Sequence, residues 1–245
     1  YNTHEIAIYD GSKLIGVVGS IGSGKSSLFS GLIGESVHIG GEYSINGKIA
    51  YCAQIPWILT GSIEKNILLN LPLNQSKLDR VVAVSGLESD LKMLADGIKT
   101  EIGENGVNLS GGQKARVSLA RSLYADADIY LLDDPIAALD AQVGRLVFSK
   151  AIKEYLGDKT VLLATHQLHY LQEVDEIIVL EQGNMVEFGT FTELNNKKDG
   201  ILSKMLEAYR FDEEVEKKDE KEKEKGKKKD EIEKGEEFIT EEEKN

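Results

Sequence analysis

A single turn near the N terminus constrains the fold of this chain more than any other stretch. Residues 19–26 read Gly-Ser-Ile-Gly-Ser-Gly-Lys-Ser, the pattern G-x-x-x-x-G-K-S. An apolar run at residues 14–18 precedes the turn, and a helical pattern over residues 26–33 follows it. This strand–loop–helix context is what the motif requires. The sequence therefore predicts an α/β fold whose first strand and helix flank a phosphate-binding loop.

The residue types of the loop indicate how it would bind a nucleoside triphosphate. Its glycines let the backbone curl so that N–H groups point inwards, and the helix N terminus adds partial positive charge. Lys25 would reach the outer phosphates, and the Ser26 hydroxyl would ligate Mg²⁺. The residues predicted to contact the nucleotide are Gly19, Ser20, Ile21, Gly22, Ser23, Gly24, Lys25, Ser26 and Ser27.

Two further apolar runs end in polar side chains. Residues 129–132 are followed by Asp133 and Asp134, and residues 160–164 are followed by Thr165 and His166. An unbroken apolar run is typical of a parallel strand that is buried on both faces. Ligands of open α/β sheets bind at the carboxyl ends of the strands. We therefore expect Asp133, Asp134 and His166 beside the phosphate loop, with Asp133 in the Mg²⁺ shell.

The remaining patterns complete the predicted fold class. Asn46-Gly47 joins two short β patterns over residues 42–51, which predicts a hairpin, and a second hairpin is predicted over residues 177–188. Amphipathic helical spacing dominates residues 56–108. We predict a P-loop NTPase core with a parallel sheet (residues 1–55 and 109–211), a small antiparallel β subdomain, and an inserted helical subdomain over residues 56–108.

Composition excludes several classes of protein. The single cysteine, Cys52, rules out an intramolecular disulfide, and the net charge of −13 argues against broad nucleic-acid binding. No apolar run approaches the ~18 residues of a membrane span, so we expect no direct membrane insertion. Residues 212–245 hold 16 acidic and 10 basic residues. We predict that this segment is a disordered, charged linker.

A second glycine-rich turn lies at residues 109–113, Leu-Ser-Gly-Gly-Gln, directly before a helical pattern. Ser110 is a good N-cap, and Gly111 and Gly112 would leave backbone N–H groups open to an anion. Taken alone, the turn also fits an ordinary helix cap. Its position relative to the other motifs favours a functional interpretation.

The order of these motifs resembles the ATP-binding cassette (ABC) family over nearly all of residues 14–206. The segments at 51–58, 61–67, 101–108 and 132–135 further resemble the first nucleotide-binding domain of the multidrug-resistance-associated (C) subfamily. The matching motifs are the phosphate loop (19–26), the Q-loop glutamine (Gln54), the LSGGQ signature (109–113), the Walker B strand (129–133), the D-loop (138–140) and the switch histidine (His166).

The resemblance implies an ATPase that uses ATP and Mg²⁺ and is coupled to transmembrane transport. It implies that Lys25, Gln54, Asp134 and His166 are catalytic and that Ser26, Gln54 and Asp133 bind the metal. The signature residues would contact ATP held by a second nucleotide-binding domain, paired head-to-tail with this one. Those residues are Ser110, Gly111, Gly112 and Gln113.

The same resemblance places the chain at the cytosolic face of a membrane, joined to transmembrane domains, with residues 212–245 as a linker. Two features depart from the family pattern. The adenine-stacking aromatic residue is expected further upstream than Tyr1, which is only 24 residues before Lys25. Asp134 stands where the family usually has the glutamate that serves as general base, so we expect weak hydrolysis.

Other functions share parts of this pattern. A DNA-repair or chromosome-organising ATPase has a similar signature, but a long coiled coil separates its motifs, and residues 27–108 contain no sustained heptads. A ribosome-associated cassette protein would have two cassettes in one chain. An ATP-gated channel of the same subfamily stays open as an alternative to a transporter.

Overall fold

A computed structural model describes residues 12–37, 40, 44–104 and 108–211 of the chain. These residues belong to two compact units, one ending at Leu194 and the other beginning at Asn195. Within the second unit, the described residues form a helix over 201–211. None of the helices in these ranges is both long enough and apolar enough to cross a membrane.

The first unit alternates strands and helices. Its strands are β1 (Lys13–Val18), β2 (Ile49–Cys52), β3 (Gly61–Ser62), β4 (Glu101–Ile102), β5 (Ile129–Asp133), β6 (Thr160–Ala164), β7 (Glu176–Glu181) and β8 (Asn184–Gly189). Its helices are α1 (Lys25–Leu32), α2 (Ile63–Leu68), α3 (Gln75–Val84), α4 (Glu88–Met93), α5 (Gly111–Tyr124) and α6 (Ala141–Val147), and α7 (Phe191–Asn195) lies at the boundary where the unit ends. Helix α6 continues as a π-helix over Phe148–Tyr155, and 3₁₀ turns lie at Gly97–Lys99 and Leu168–Glu173.

Six strands form a mainly parallel sheet in the order β2-β5-β6-β1-β7-β8. Every neighbouring pair is parallel except β7 and β8. Ala164 of β6 pairs with Asp133 of β5 on one side and with Val17 of β1 on the other. The carboxyl ends of these three strands therefore lie side by side, and this is where the sequence predicted the site. The predicted α/β fold is confirmed.

Both faces of the sheet are buried, which explains the unbroken apolar runs. On β5, Tyr130 and Leu132 belong to one core cluster, and the residue between them, Leu131, belongs to another. Phe29 of α1 packs with Leu131, whereas Leu119 of α5 packs with Tyr130 and Leu132. Helices α1 and α5 thus cover opposite faces of the same strands.

One predicted hairpin is confirmed and the other is not observed. Strands β7 and β8 pair antiparallel around the predicted turn. In contrast, β2 pairs in parallel with β5, and Ser44 and Ile45 are irregular, while Glu42 and Tyr43 lie outside the described residues. The physical reason is a long-range contact, because the Lys48 N–H donates to the Asp128 carboxylate at 2.8 Å.

Helices α2, α3 and α4 lie within residues 63–93, and the two-residue strands β3 and β4 form a small antiparallel sheet beside them that the sequence did not predict. The apolar alternation at residues 6–9 and the charged segment at 212–245 lie outside the described residues. The boundaries of the helical subdomain therefore stay a prediction.

Candidate functional site

The turn between β1 and α1 is tightly packed and presents the start of a helix. A Cβ atom at Gly19 would lie 2.3 Å from the Leu180 carbonyl oxygen and 2.4 Å from Ser23 Oγ, so only glycine fits there. Helix α1 begins after Gly24, which has a φ of 104°. No side chain among the described residues caps this helix.

The open start of α1 differs from the starts of four other helices of the unit, whereas α4 also begins without a side-chain cap. Side-chain oxygens accept hydrogen bonds from the first-turn N–H groups of four other helices. The capping residues are Ser62 for α2, Asn74 for α3, Ser110 for α5 and Asp140 for α6. Because the first N–H groups of a helix need a partner, the start of α1 is suited to an anion.

The Lys25 side chain folds into the loop. Its ammonium group donates to the carbonyl oxygens of Gly19 at 2.8 Å and Ser20 at 3.1 Å. Burial lowers the pKa of Lys25, and the nearby carboxylates of Asp134 and Asp133 act in the opposite direction. The positive charge therefore lies within reach of both acidic residues as well as the loop.

Serine hydroxyls line this turn. Ser20, Ser26 and Ser27 are exposed, as are Ile21 and Gly22 at its tip. Ser23 Oγ is buried, and no hydrogen-bond partner for it exists in the part of the chain described. A buried hydroxyl without a partner is costly, so it marks a place where a ligand would add a hydrogen bond.

Asp133 is almost fully buried at the end of β5. The Tyr51 hydroxyl donates to its Oδ2 atom at 3.5 Å. Burial, together with the charge of Asp133, raises the pKa of Tyr51 to about 12, so the phenol stays protonated and can donate. Tyr51 thus orients one oxygen of the carboxylate.

The acidic side chains suit a metal ion that arrives with phosphates. Within the described ranges, no group of three or more His, Cys, Asp or Glu side chains could hold a metal by itself. Mg²⁺ in phosphate-transfer sites needs only one or two carboxylates, because phosphate oxygens and water complete its shell. The carboxylate of Asp133 and the hydroxyl of Ser26 fit that donor set.

Asp134 lies one residue beyond the strand in a left-handed conformation, with a φ of 49°. Its carboxylate accepts a hydrogen bond from the His166 backbone N–H, and the Thr165 hydroxyl donates to it at 3.5 Å. Burial raises the pKa of Asp134, while the backbone N–H and charge of His166 oppose the shift. The contacts join the ends of β5 and β6.

Gln54 and His166 are both exposed. Gln54, Asp134 and Pro135 line a cavity of about 40 Å³, together with Cys52, Ala53, Pro56, Ala115, Ser118, Ala137 and Ala138. This volume is close to that of one water molecule. The cavity therefore links Gln54 to Asp134 across a space that a small polar molecule can fill.

The LSGGQ turn forms a separate structure at the start of α5. Ser110 caps the helix, and Gln113 returns the hydrogen bond in a capping box. Ser110 and Gly111 are exposed, whereas Gly112 and Gln113 are half-buried. Among the described residues, no hydrogen bond joins this turn to the phosphate loop.

The structure thus brings Lys25, Asp133, Asp134 and the His166 backbone together and leaves the LSGGQ turn apart. It also shows contacts that the sequence analysis missed. Tyr51 lies near the end of one predicted strand and Thr165 directly follows another. Their positions could therefore have identified them as candidate site residues. Asp90, whose carboxylate accepts a hydrogen bond from Gln113, had no such signal, because it lies in α4 and outside the motifs that the sequence analysis identified.

Comparison with known proteins supplies the family. The sequence model of the family described as "ABC transporter" matches residues 2–137. ATP-binding cassette sub-family C member 2 of Mus musculus is 47% identical over 80% of this chain and 13% of its own length. ABC transporter C family member 12 of Dictyostelium discoideum is 45% identical over 83% of this chain and 15% of its own length. Multidrug resistance protein mrp-7 of Caenorhabditis elegans is 46% identical over 81% of this chain and 13% of its own length.

The chain spans about a seventh of the length of these relatives, so the matched region corresponds to one domain of each of them. The family match covers the phosphate loop, the LSGGQ turn and the end of β5, which are the elements that the sequence analysis identified. We conclude that the chain belongs to the ABC transporter family, as an ATP-binding domain of the C-subfamily type.

Proposed function

We propose that this domain binds Mg·ATP at the level ends of β1, β5 and β6. The observation that carries the proposal is the convergence of an uncapped helix start, the Lys25 ammonium group and the Asp133 carboxylate. Residues 19–27 would cradle the phosphates through backbone N–H groups, and Lys25 would exchange its carbonyl partners for outer phosphate oxygens. Ser26, Asp133 and Gln54 would hold Mg²⁺, which neutralises phosphate charge when bound.

Hydrolysis at this site is proposed to be slow. In this proposal Asp134 acts as general base towards water, with Gln54 and His166 orienting the reacting groups. An aspartate side chain is one methylene shorter than the glutamate usual in the family, which withdraws the carboxylate by ~1.5 Å. A displacement of about 1 Å costs on the order of a hundredfold in rate.

The domain is further proposed to pair head-to-tail with a second nucleotide-binding domain. Support comes from the exposure of Ser110 and Gly111 at the start of α5, on a turn separate from the phosphate loop. Each domain would then hold one nucleotide and complete the site of the other with its LSGGQ turn. Losing the terminal phosphate would loosen the pair, because charge that both sides stabilise is lost.

In the full-length protein, the pairing would drive or gate transport through transmembrane domains, with this domain at the cytosolic face. Gln54 and residues 57–66 would report the nucleotide state to those domains. A DNA-associated ATPase is disfavoured, because the helices described between the two turns reach only 10 residues in length. That is far short of a coiled coil.

The first test is calorimetric titration of the chain with Mg·ATP. We expect Lys25→Met to weaken binding by about 10- to 100-fold, because a charged hydrogen-bonding group contributes ~1.5–3 kcal/mol. Lys150→Met is the matched control, since Lys150 is exposed and pairs with Glu154 at 2.7 Å. Equal affinities for the wild type and Lys25→Met would contradict the proposed site.

A further inference from the structure

A buried ion pair lies directly behind the LSGGQ turn. Arg116 of α5 donates from Nε to Asp90 Oδ2 at 2.7 Å and from Nη2 to Asp90 Oδ1 at 2.9 Å. Only 6% of Asp90 and 9% of Arg116 are exposed. A two-point contact of this kind fixes the angle of the carboxylate as well as its position. Asp90 thereby holds α4 against α5 in one orientation.

The same carboxylate also binds a residue of the turn. Gln113 Nε2 donates to Asp90 Oδ1 at 3.2 Å, and Gln113 Oε1 accepts from the Ser110 N–H at 2.9 Å. Both ends of the Gln113 amide are therefore engaged, so the amide cannot rotate without losing a hydrogen bond. A continuous chain of contacts runs from Asp90 through Gln113 to Ser110.

These contacts determine how the Ser110 hydroxyl is presented. Its Oγ atom accepts from the Gln113 backbone N–H at 3.2 Å. A serine hydroxyl has one donor and two acceptor positions, so this bond leaves the hydrogen able to point outwards. Ser110 and Gly111 are exposed, so the hydroxyl lies at the surface of the turn, whereas the N–H groups of Ser110 and Gln113 are engaged within it.

Arg116 restrains the other side of the turn. A Cβ atom at Gly112 would lie 3.1 Å from the Ala138 carbonyl oxygen and 3.4 Å from Arg116 Nη1. The turn is therefore packed between the Arg116 guanidinium and the backbone at residue 138. Movement of Arg116 would open or close this space and shift Gly112 with it.

We propose that Asp90 is a positioning residue of the LSGGQ turn. By fixing Arg116 and Gln113 together, it aims the Ser110 hydroxyl and the N–H groups of Gly111 and Gly112 at a phosphate held by the paired domain. This inference rests on the head-to-tail pairing proposed above. Asp90 touches neither nucleotide, and its effect falls on the site of the partner domain, whose hydrolysis Asp134 does not limit.

The test uses the purified full-length protein. Asp90→Asn keeps the shape of the side chain and removes the charge that holds Arg116. We expect kcat for ATP hydrolysis to fall at least tenfold with KM within twofold of wild type. The affinity of this domain for Mg·ATP, measured by titration of the isolated chain, is expected to stay unchanged. Glu154→Gln breaks the exposed Lys150–Glu154 pair and should alter neither value.

A double substitution tests whether Asp90 acts through the turn. In a Gln113→Ala background, Asp90→Asn should lower kcat by a smaller factor than it does in the wild type, because the link to Ser110 is already broken and only the contact through Arg116 and Gly112 remains. Full additivity of the two effects, or a weaker Mg·ATP affinity of the isolated chain, would overturn the proposal. So would a wild-type kcat in Asp90→Asn accompanied only by a lower melting temperature.

Two further variants separate the possible failures. If Asp90→Asn does not fold, Asp90→Glu replaces it, because this variant keeps the charge and moves the carboxylate by one methylene. We expect Asp90→Glu to lower kcat severalfold at unchanged KM. A wild-type kcat in Asp90→Glu would overturn the inference. Ser110→Ala tests the pairing itself. A wild-type kcat in Ser110→Ala would count against the head-to-tail proposal, whereas a loss there with no effect of Asp90→Asn would count against the positioning role alone.

Discussion

Asp134 occupies a backbone conformation that suits the side chain of aspartate better than the longer side chain of glutamate. Aspartate and asparagine are enriched among residues with positive φ, because a short polar side chain can bond locally. Here the carboxylate bonds to the His166 N–H and the Thr165 hydroxyl. The residue therefore joins two strand ends, and this structural role is separate from any role in hydrolysis.

Lengthening this side chain should increase turnover in the full-length protein. We expect Asp134→Glu to raise the ATPase rate of this site by about 10- to 100-fold, because the extra methylene moves the carboxylate towards the attacking water. Single-turnover hydrolysis of labelled ATP bound to this domain is the measurement. Asp134→Asn is the control, since it keeps the shape and removes the base, and its rate should fall below that of wild type. An unchanged rate in Asp134→Glu would mean that the short base is not the cause of slow hydrolysis.

The sequence predicted the positions of the site residues well where a motif adjoins a strand. Lys25 follows from the phosphate-loop motif after β1, and Asp133 follows from the polar end of an apolar run, which the rule for parallel sheets places at the carboxyl end of its strand. The left-handed backbone of Asp134 and the contact from Tyr51 could not be read in this way, because they depend on the register of β2, β5 and β6. Neighbouring strands set that register through contacts between distant residues.

Among the elements, β2 shows how long-range contacts override a local signal. Asn46-Gly47 is a strong hairpin turn, and Gly47 does adopt a positive φ of 126°. A Cβ atom there would nevertheless lie 2.9 Å from Asp128 Cβ, and Asp128 N–H donates to the Lys48 carbonyl at 2.9 Å. The turn therefore docks on the residue before β5, and the strand that follows pairs in parallel with β5.

The π-helix after α6 is a second element that the sequence did not indicate. Phe148, Ala151 and Ile152 are buried in the core, and the Phe148 ring stacks on Tyr170 with centroids 4.2 Å apart. The change from α to π hydrogen bonding alters which side chains face inwards. Such a change depends on the packing partner, so local spacing does not predict it.

Helix α5 is joined to residues 57–66 by a buried arginine. Arg121 donates to the Asn66 carbonyl oxygen at 2.7 Å, to the Trp57 carbonyl oxygen at 3.0 Å and to Asn66 Oδ1 at 3.0 Å. Its guanidinium also lies 3.7 Å from the centre of the Trp57 ring. Burial lowers the pKa of Arg121 to about 10, which leaves it charged at neutral pH.

Removing this guanidinium should destabilise the domain and change the environment of Trp57. We expect Arg121→Met to lower the free energy of unfolding by about 2–4 kcal/mol, because several buried carbonyl groups lose their donor. Urea denaturation followed by tryptophan emission measures both effects, since Trp57 is the only tryptophan in the chain. The emission intensity of the native state should change as well, because the stacked cation is removed.

An exposed cation–π pair provides the control. Arg80 lies 4.9 Å from the centre of the Tyr155 ring and is exposed, so Arg80→Met should cost no more than ~1 kcal/mol. Equal losses in Arg80→Met and Arg121→Met would show that the buried hydrogen bonds of Arg121 add nothing beyond ring stacking.

At the scale of the whole molecule, the candidate site exists only when the fold is complete. Its parts come from residues 19–27, 133–134 and 165–166. These segments are distant in sequence and meet at the carboxyl ends of the parallel strands. A ligand that binds there stabilises the folded state alone, by an amount that depends on its concentration relative to Kd. Nucleotide binding should therefore be measurable as resistance to unfolding.

The single cysteine makes this coupling measurable. Cys52 is 2% exposed at the end of β2, and burial raises the pKa of its thiol to about 11. Because the thiolate is the reactive form, we expect a thiol reagent at pH 8 to label Cys52 only through opening of the structure. Mg·ATP at about 100 times Kd should slow labelling by about 100-fold, since it lowers the population of the open state by that factor. Lys25→Met, whose affinity we expect to be about 10- to 100-fold weaker, should be protected only about 2- to 11-fold at the same nucleotide concentration. Rapid labelling of the native wild type would contradict the expectation that Cys52 reacts only through opening of the structure. Equal protection of the wild type and Lys25→Met would contradict nucleotide binding at the phosphate loop.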